Sequence, residues 1–291
     1  MDVLCDRRDA VGESPLWSPD EQALYWVDIE APGLSRLDWS SRRLEHWRCP
    51  ERIACIALHA GGGLVAGMES GIFHLHPRPH GVLEHRRLAS VAHAAADMRF
   101  NDGRCDRAGR FWAGTMVRDM ALARPAGVLH RFDADGLSAP LVDGLITPNG
   151  LAFSPDGRRM YLSDSHPQVR RVWAFDLDEQ GRPGGRREFI DMNRHPGRPD
   201  GAAVDTDGGY WICANDAGQV HRFTPDGRLD RSLSVPVSKP AMCAFGGPAL
   251  DLLFITTIRP AVPPPGQAAL AGAVFVTRPG AQGIAEVAFR G

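Results

Sequence analysis

No stretch of this chain approaches the roughly 18 consecutive apolar residues of a membrane span, so no membrane partner is expected. Neither sign of charge dominates. Thirty-three Lys and Arg stand against 35 Asp and Glu for a net charge of -2, which leaves no global basic field for a phosphate backbone and argues against nucleic acid. From Met1 to Val11 the chain carries Asp2, Asp6, Arg7, Arg8 and Asp9 with no apolar run behind them, unlike a secretory leader, and a cytoplasmic location is expected. The six cysteines, at positions 5, 49, 55, 105, 213 and 243, form no CxxC pair, so reduced thiols packed in the core are expected rather than a disulfide framework. Catalytic signatures are missing too. There is no G-x-S-x-G elbow, none of the 11 histidines lies in an H-E-x-x-H motif, and no G-x-G-x-x-G follows a strand and opens a helix. His59, His74, His130 and His221 read as structural or surface groups, and Arg170-Arg171 and the cluster from Arg182 to Arg187 as solvated loops.

What the chain has in quantity is turn-forming residues, 32 Gly and 23 Pro spread throughout, which leave little room for long helices. Between the turns lie short alternating or apolar runs such as Leu24 to Ile29, Arg110 to Thr115 and Arg159 to Asp164, which read as strands. Only Leu88 to Met98, rich in alanine, offers a turn or two of helix. One phrase recurs six times: an apolar residue, a turn of Asp, Pro and Gly, then an apolar strand. Its copies begin at Trp17, Leu58, Cys105, Phe153, Val204 and Phe245, at intervals of about 41 to 51 residues, the period of a propeller blade. A second hairpin follows each copy, as at Gly71 to Leu75, Gly127 to Phe132 and Gly218 to Phe223, making four strands per repeat. An all-β, six-bladed propeller with four-stranded blades around a central channel, formed by residues 1–291 as one domain, is therefore expected. Asp2 to Asp6 is expected to pair with the last blade and fasten the ring.

Equivalent positions on the innermost strands of a propeller surround the channel at one height. Counting back four residues from each aligned apolar residue gives Glu13, Ala54, Asn101, Asn149, Asp200 and Ala241. Four polar groups thus replace the small apolar residue that the repeat would otherwise place there. Buried carboxylates converging on one axis repel each other and lose hydration, which a metal ion relieves. The donor set is all oxygen, from Glu13, Asp200, Asn149 and Asn101, and suits one hard divalent cation such as Ca²⁺, Mg²⁺ or Mn²⁺, with Zn²⁺ and Fe²⁺ also compatible.

Seven segments in order, Glu13-Ser14-Pro15-Leu16-Trp17, Arg99-Phe100-Asn101-Asp102-Gly103, Ala113-Gly114-Thr115-Met116, Pro148-Asn149-Gly150-Leu151, Asp164-Ser165, Pro199-Asp200-Gly201 and Cys243-Ala244-Phe245-Gly246-Gly247, resemble the signatures of the regucalcin (senescence marker protein), gluconolactonase and luciferin-regenerating enzyme family. That resemblance runs over nearly the whole chain and implies the same six-bladed fold. It further implies that Glu13, Asn149 and Asp200 hold one divalent cation, that Arg99 and Asn101 contact substrate, and that Asp119, in a lid from Val117 to Arg124, stands where some members place a substrate-binding Glu. The implied activity is hydrolysis of a sugar-acid lactone to the aldonate, with the metal as Lewis acid and Asp200 as general base. Two other readings are a calcium- or ligand-binding regulatory propeller without turnover and a hydrolase of another ester. A protein-interaction propeller would not explain polar groups at four registered channel positions.

Overall fold

Six antiparallel sheets stand around one axis in the computed structural model, which describes residues 1–291. The innermost strands are Gly12–Ser18, Ile53–Leu58, Met98–Cys105, Pro148–Phe153, Arg198–Val204 and Pro240–Gly246, and each packs against the innermost strand on either side, so the ring is closed. This is a six-bladed β-propeller. Blades are four-stranded, with one variation: the outer edge of the third is split between Gly136–Leu137 and Val142–Leu145, both paired with Gly127–Asp133. The ring is fastened as expected, by the first residues of the chain. Asp2 and Val3 pair with Val276 and Phe275 to give the sixth blade its outer strand.

The aspartates of the repeated turn have a specific structural task. Asp205 accepts the N–H groups of Asp207 (3.1 Å) and Gly209 (2.7 Å) through Oδ1, closing the turn, while its Oδ2 accepts the indole N–H of buried Trp211 (2.8 Å) and Arg222 Nε (2.7 Å). Asp106 repeats this with Ala108, Arg110 and Trp112 two blades earlier. Each such carboxylate ties turn, second strand and core together, satisfying an indole that burial would otherwise leave unpaired. At Gly109, which closes the Asp106 turn with φ 82°, a side chain would be strained by the backbone and would press on the Ala288 carbonyl at 2.9 Å.

No α-helix forms. Leu88 to Ser90 complete the strand Leu83–Ser90, paired through Ser90 with Gly71, and the alanines after them lie in irregular chain. Alanine side chains carry too little apolar surface to hold a short helix against a sheet. The single 3-10 turns are elsewhere, at Pro79–Gly81, Met120–Leu122 and Met192–Arg194. No helix is long and apolar enough to cross a membrane. All six cysteines are free thiols, five of them buried. The histidines singled out in the repeats serve structure: His221 contacts Ser232 Oγ (2.7 Å) and the Pro196 carbonyl (3.0 Å), His130 the Ser138 carbonyl (2.8 Å), and His59 stacks on His74 (3.9 Å between centroids). Arg170 is not a solvated loop residue. Its Nη2 donates to the carbonyls of Met192, His195 and Gly197, which pins the loop leading into the fifth blade.

After the last strand of the sixth blade, the C-terminal segment crosses beneath the ring. Gly283 donates to the Leu250 carbonyl (2.8 Å) and Thr206 to the Gln282 carbonyl (2.9 Å), at the sixth and fifth blades. Phe289 donates to the Leu58 carbonyl (2.7 Å), and Arg290 to the Gly109 carbonyl (3.0 Å), at the second and third. Phe289 itself is fully buried, stacked on Phe132 at 5.2 Å. These contacts all lie at the C-terminal ends of innermost strands. The channel is thus covered on that face, and its mouth lies at the opposite face, where the innermost strands begin.

Candidate active site

Every innermost strand is irregular at the same height. Its ladder with the second strand breaks between Glu13 and Leu16, Ile53 and Cys55, Phe100 and Gly103, Asn149 and Ala152, Pro199 and Ala202, and Pro240 and Cys243. A bulge re-aims side chains that a regular strand would direct into its own sheet. The six registered positions, Glu13, Ala54, Asn101, Asn149, Asp200 and Ala241, all fall at these breaks. The four polar ones are buried, at 9%, 9%, 4% and 7% exposure for Glu13, Asn101, Asn149 and Asp200. Left-handed backbone at Ser14 (φ 48°) and Gly150 (φ 60°) shapes two of the bulges. The residue after the site position then links neighbouring blades. Ser14 Oγ accepts the Ile56 N–H (2.9 Å), Asp102 Oδ2 the Leu151 N–H (2.7 Å), and the Gly150 carbonyl the Tyr210 hydroxyl (2.7 Å).

Arg99, Asn101 and Asn149 form one hydrogen-bonded line. Arg99 Nη1 donates to Asn101 Oδ1 (2.7 Å) and to the Phe100 carbonyl (2.8 Å), Asn101 Nδ2 donates to Asn149 Oδ1 (3.0 Å) and the Pro148 carbonyl (2.9 Å), and Asn149 Nδ2 donates to Ser165 Oγ (3.0 Å). The Asn101 oxygen accepts from Arg99 and the Asn149 oxygen from Asn101, so each keeps a second lone pair. The Arg99 Nε is buried and has no partner.

Three carboxylates share the channel: Glu13, Asp200 and Asp102. Burial, then the charges of Asp200 and Asp102, push Glu13 well above the usual carboxylate range, with the Ser14 N–H (3.0 Å to Oε2) and Arg99 opposing. Burial likewise pushes Asp200 up to about 7, against the opposing Arg198 charge and a hydrogen bond from Asn215 Nδ2 (2.7 Å). Asp102 is raised by burial, and its Oδ1 is left without a partner. No three His, Cys, Asp or Glu side chains gather as a metal-holding group. The donors present are two mutually repelling buried carboxylates and an amide oxygen, a set whose chemistry fits one hard cation. A bound cation would oppose the rise of both acids.

Asp119 lies apart from this group. It is exposed and caps the turn Met120–Leu122 by accepting the Ala121 N–H (3.0 Å) through Oδ1. The turn is held from below, with His166 Nε2 3.1 Å from the Met120 carbonyl. Sequence reasoning passed over Asp102 and Asn215. Asp102 stands one residue past the counted channel position, and Asn215 lies opposite Arg198, one step out of register with Asp28 and Asp164, which face Gly12 and Pro148 in their own blades.

Comparison with known proteins agrees with this fold. Residues 11–259 match the family description "SMP-30/Gluconolactonase/LRE-like region". The chain is 40% identical over 284 residues to the 6-deoxy-6-sulfogluconolactonase of Pseudomonas putida, covering 97% of this chain and 95% of that protein. It is 36% identical over 257 residues to a pentonolactonase of Haloferax volcanii, covering 87% and 84%. Among solved structures it superposes with TM-score 0.90 and 27% identity on a calcium-binding protein, regucalcin, from Agrobacterium tumefaciens, covering 99% of this chain and 96% of that one.

Proposed function

Because the chain belongs to the SMP-30/gluconolactonase/LRE-like family, we propose that it hydrolyses the lactone of a sugar acid to the aldonate, using Glu13, Asn149 and Asp200 to hold one divalent cation. The observation that carries this reading is the burial of two repelling carboxylates, Glu13 and Asp200, at the bulges where Asn149 also stands. When bound, the cation supplies Lewis-acid polarisation of the lactone carbonyl and charge compensation for the oxygen that becomes negative.

The remaining steps belong to the protein's own residues. Asp200 takes a proton from the attacking water as its oxygen bonds to the carbonyl carbon, and returns that proton to the ring oxygen when the C–O bond breaks. Asn215 holds the other side of the Asp200 carboxylate through its 2.7 Å bond, fixing which way the base points. Glu13 stays ionised as a charge neutraliser. Arg99, with its buried Nε unpaired, offers a donor to substrate hydroxyls, and Asn101, whose two amide hydrogens are taken by Pro148 and Asn149, offers the remaining lone pair of its Oδ1 as an acceptor. Asp119 reaches the substrate from the lid if that turn folds over the mouth. The names of two relatives, a sulfogluconolactonase and a pentonolactonase, support a small sugar-acid lactone as the substrate class.

A pH-indicator assay over a lactone panel, with protein stripped of metal and reloaded with one cation at a time, tests the proposal. Hydrolysis that appears only with metal supports it. The calcium-binding description of a structural neighbour favours a second reading, a binding propeller without turnover, and metal uptake without hydrolysis of any lactone would select it.

A further inference from the structure

Arg104 lies three residues beyond Asn101 on the innermost strand of the third blade and is buried. Its Nη2 donates to the carbonyl of Ala202 at 2.6 Å, in the fifth blade, so the side chain passes the fourth blade and crosses the channel. Ala202 is two residues beyond Asp200, directly after the bulge. Nη1 of Arg104 pairs with Glu286 of the C-terminal segment, which rises from beneath the ring. A narrow void next to this pair is lined by Ser14, Leu16, Ile56 and Met242 as well as Arg104 and Glu286. Three other blades thus contribute to the same void, which places the ion pair on the axis, under Glu13, Asp102 and Asp200.

We propose that Arg104 and Glu286 are positioning residues that form the floor of the site, the guanidinium setting the strand that carries Asp200 against the strand that carries Asn101. This inference rests on the lactonase reading. A buried ion pair is a costly way to fill a channel, since apolar side chains of similar volume do so without desolvating two charges. What the pair supplies is direction. A planar fork spans two non-adjacent blades and the tail at once, which an apolar plug cannot do. Partners that orient metal ligands from behind typically change affinity by 10- to 100-fold when removed.

The test uses the full chain, stripped of metal, and reads three quantities: the calorimetric Kd for Ca²⁺, Mn²⁺ or Zn²⁺, lactone kcat at saturating metal, and the melting temperature. Arg104→Met should raise Kd and lower kcat by about tenfold each. Arg104→Lys, which reaches one of the two acceptors, should recover part of both. Glu286→Gln keeps the shape and an acceptor oxygen, should move in the same direction by less, and carries the test should Arg104→Met fail to fold. If Arg104 matters only as a charge, its removal takes a cation away from a cation site and tightens metal binding. That result, or a lower melting temperature with Kd and kcat unchanged, overturns the proposal. Wild-type protein that binds no metal and hydrolyses no lactone sinks the functional reading instead, and this inference with it.

Discussion

Asn101 donates its amide N–H to Asn149 Oδ1 at 3.0 Å, while the other end of the Asn149 amide donates to Ser165 Oγ, also at 3.0 Å. The two bonds set the orientation of Asn149: its nitrogen faces Ser165 and its oxygen faces Asn101. Asn149→Ala should accordingly weaken metal binding by at least tenfold, as should Glu13→Ala, with circular dichroism and melting little changed, because the ring is held by its blades and not by these side chains. Full metal affinity in either variant would remove that residue from the ligand set. Ser165→Ala should weaken binding less, by freeing the amide to rotate.

Asp200→Asn separates the ligand from the base. It keeps one oxygen that can coordinate the cation, gives up the oxygen that accepts from Asn215, and cannot accept a proton. Loss of a positioned general base costs about 10²- to 10⁴-fold in rate, and kcat should fall by that factor with metal saturating. An unchanged kcat would mean that the proton of water leaves by a route independent of Asp200.

Arg99→Ala should raise KM for polyhydroxylated lactones and spare simple unsubstituted ones, which present no hydroxyls to its Nε. Because Arg99 also holds the Asn101 oxygen, Asn101→Ala should show the same substrate bias more weakly. Equal loss on both substrate types would make Arg99 a structural residue.

The acids predict how the protein responds to pH. Asp200 has its folded pKa raised from 3.8 to about 7. Between those values the metal-free folded chain keeps a proton that the unfolded chain has released, so this group's contribution to stability falls as pH rises through the window. Melting temperature of metal-stripped wild type should therefore decline relative to Asp200→Asn from pH 4 to 7.5. Over the same range metal affinity should climb, because the cation competes with that proton, and by up to about tenfold per pH unit for one proton displaced. An affinity independent of pH below 7 would contradict the burial-driven shift.

Phe289→Ala should destabilise the fold by about 3 to 5 kcal/mol, the cost of emptying a large buried aromatic site. Denaturant titration measures it. A loss below about 1 kcal/mol would mean that the tail is not packed as described.

Much of this architecture was legible in the spacing of residues. Asp106 and Asp205 each serve an indole and their own loop, so they mark the first turn of their blades in the sequence itself. The four polar channel positions were legible for a related reason: a bulge recurs at one height in every innermost strand, so a fixed count from the turn lands on it. What escaped were pairings across long separations. Arg104 and Glu286 lie 182 positions apart, and nothing near either residue announces the other. Arg170 escaped because its guanidinium clasps three carbonyls, and a sequence shows the charge without the carbonyls. The alanines after Leu88 misled in the opposite sense, since helix propensity without an apolar face to bury decides little.

The ring is fastened twice, by Asp2 and Val3 at its rim and by the C-terminal segment across its floor. During synthesis the first two ribbons of sheet are complete long before position 286 leaves the ribosome, yet the Arg104 clasp cannot form until it does. Loop closure over nearly the full chain comes last and is the slowest kind of contact to make. Newly made molecules therefore acquire their blades first and the cover of the channel last.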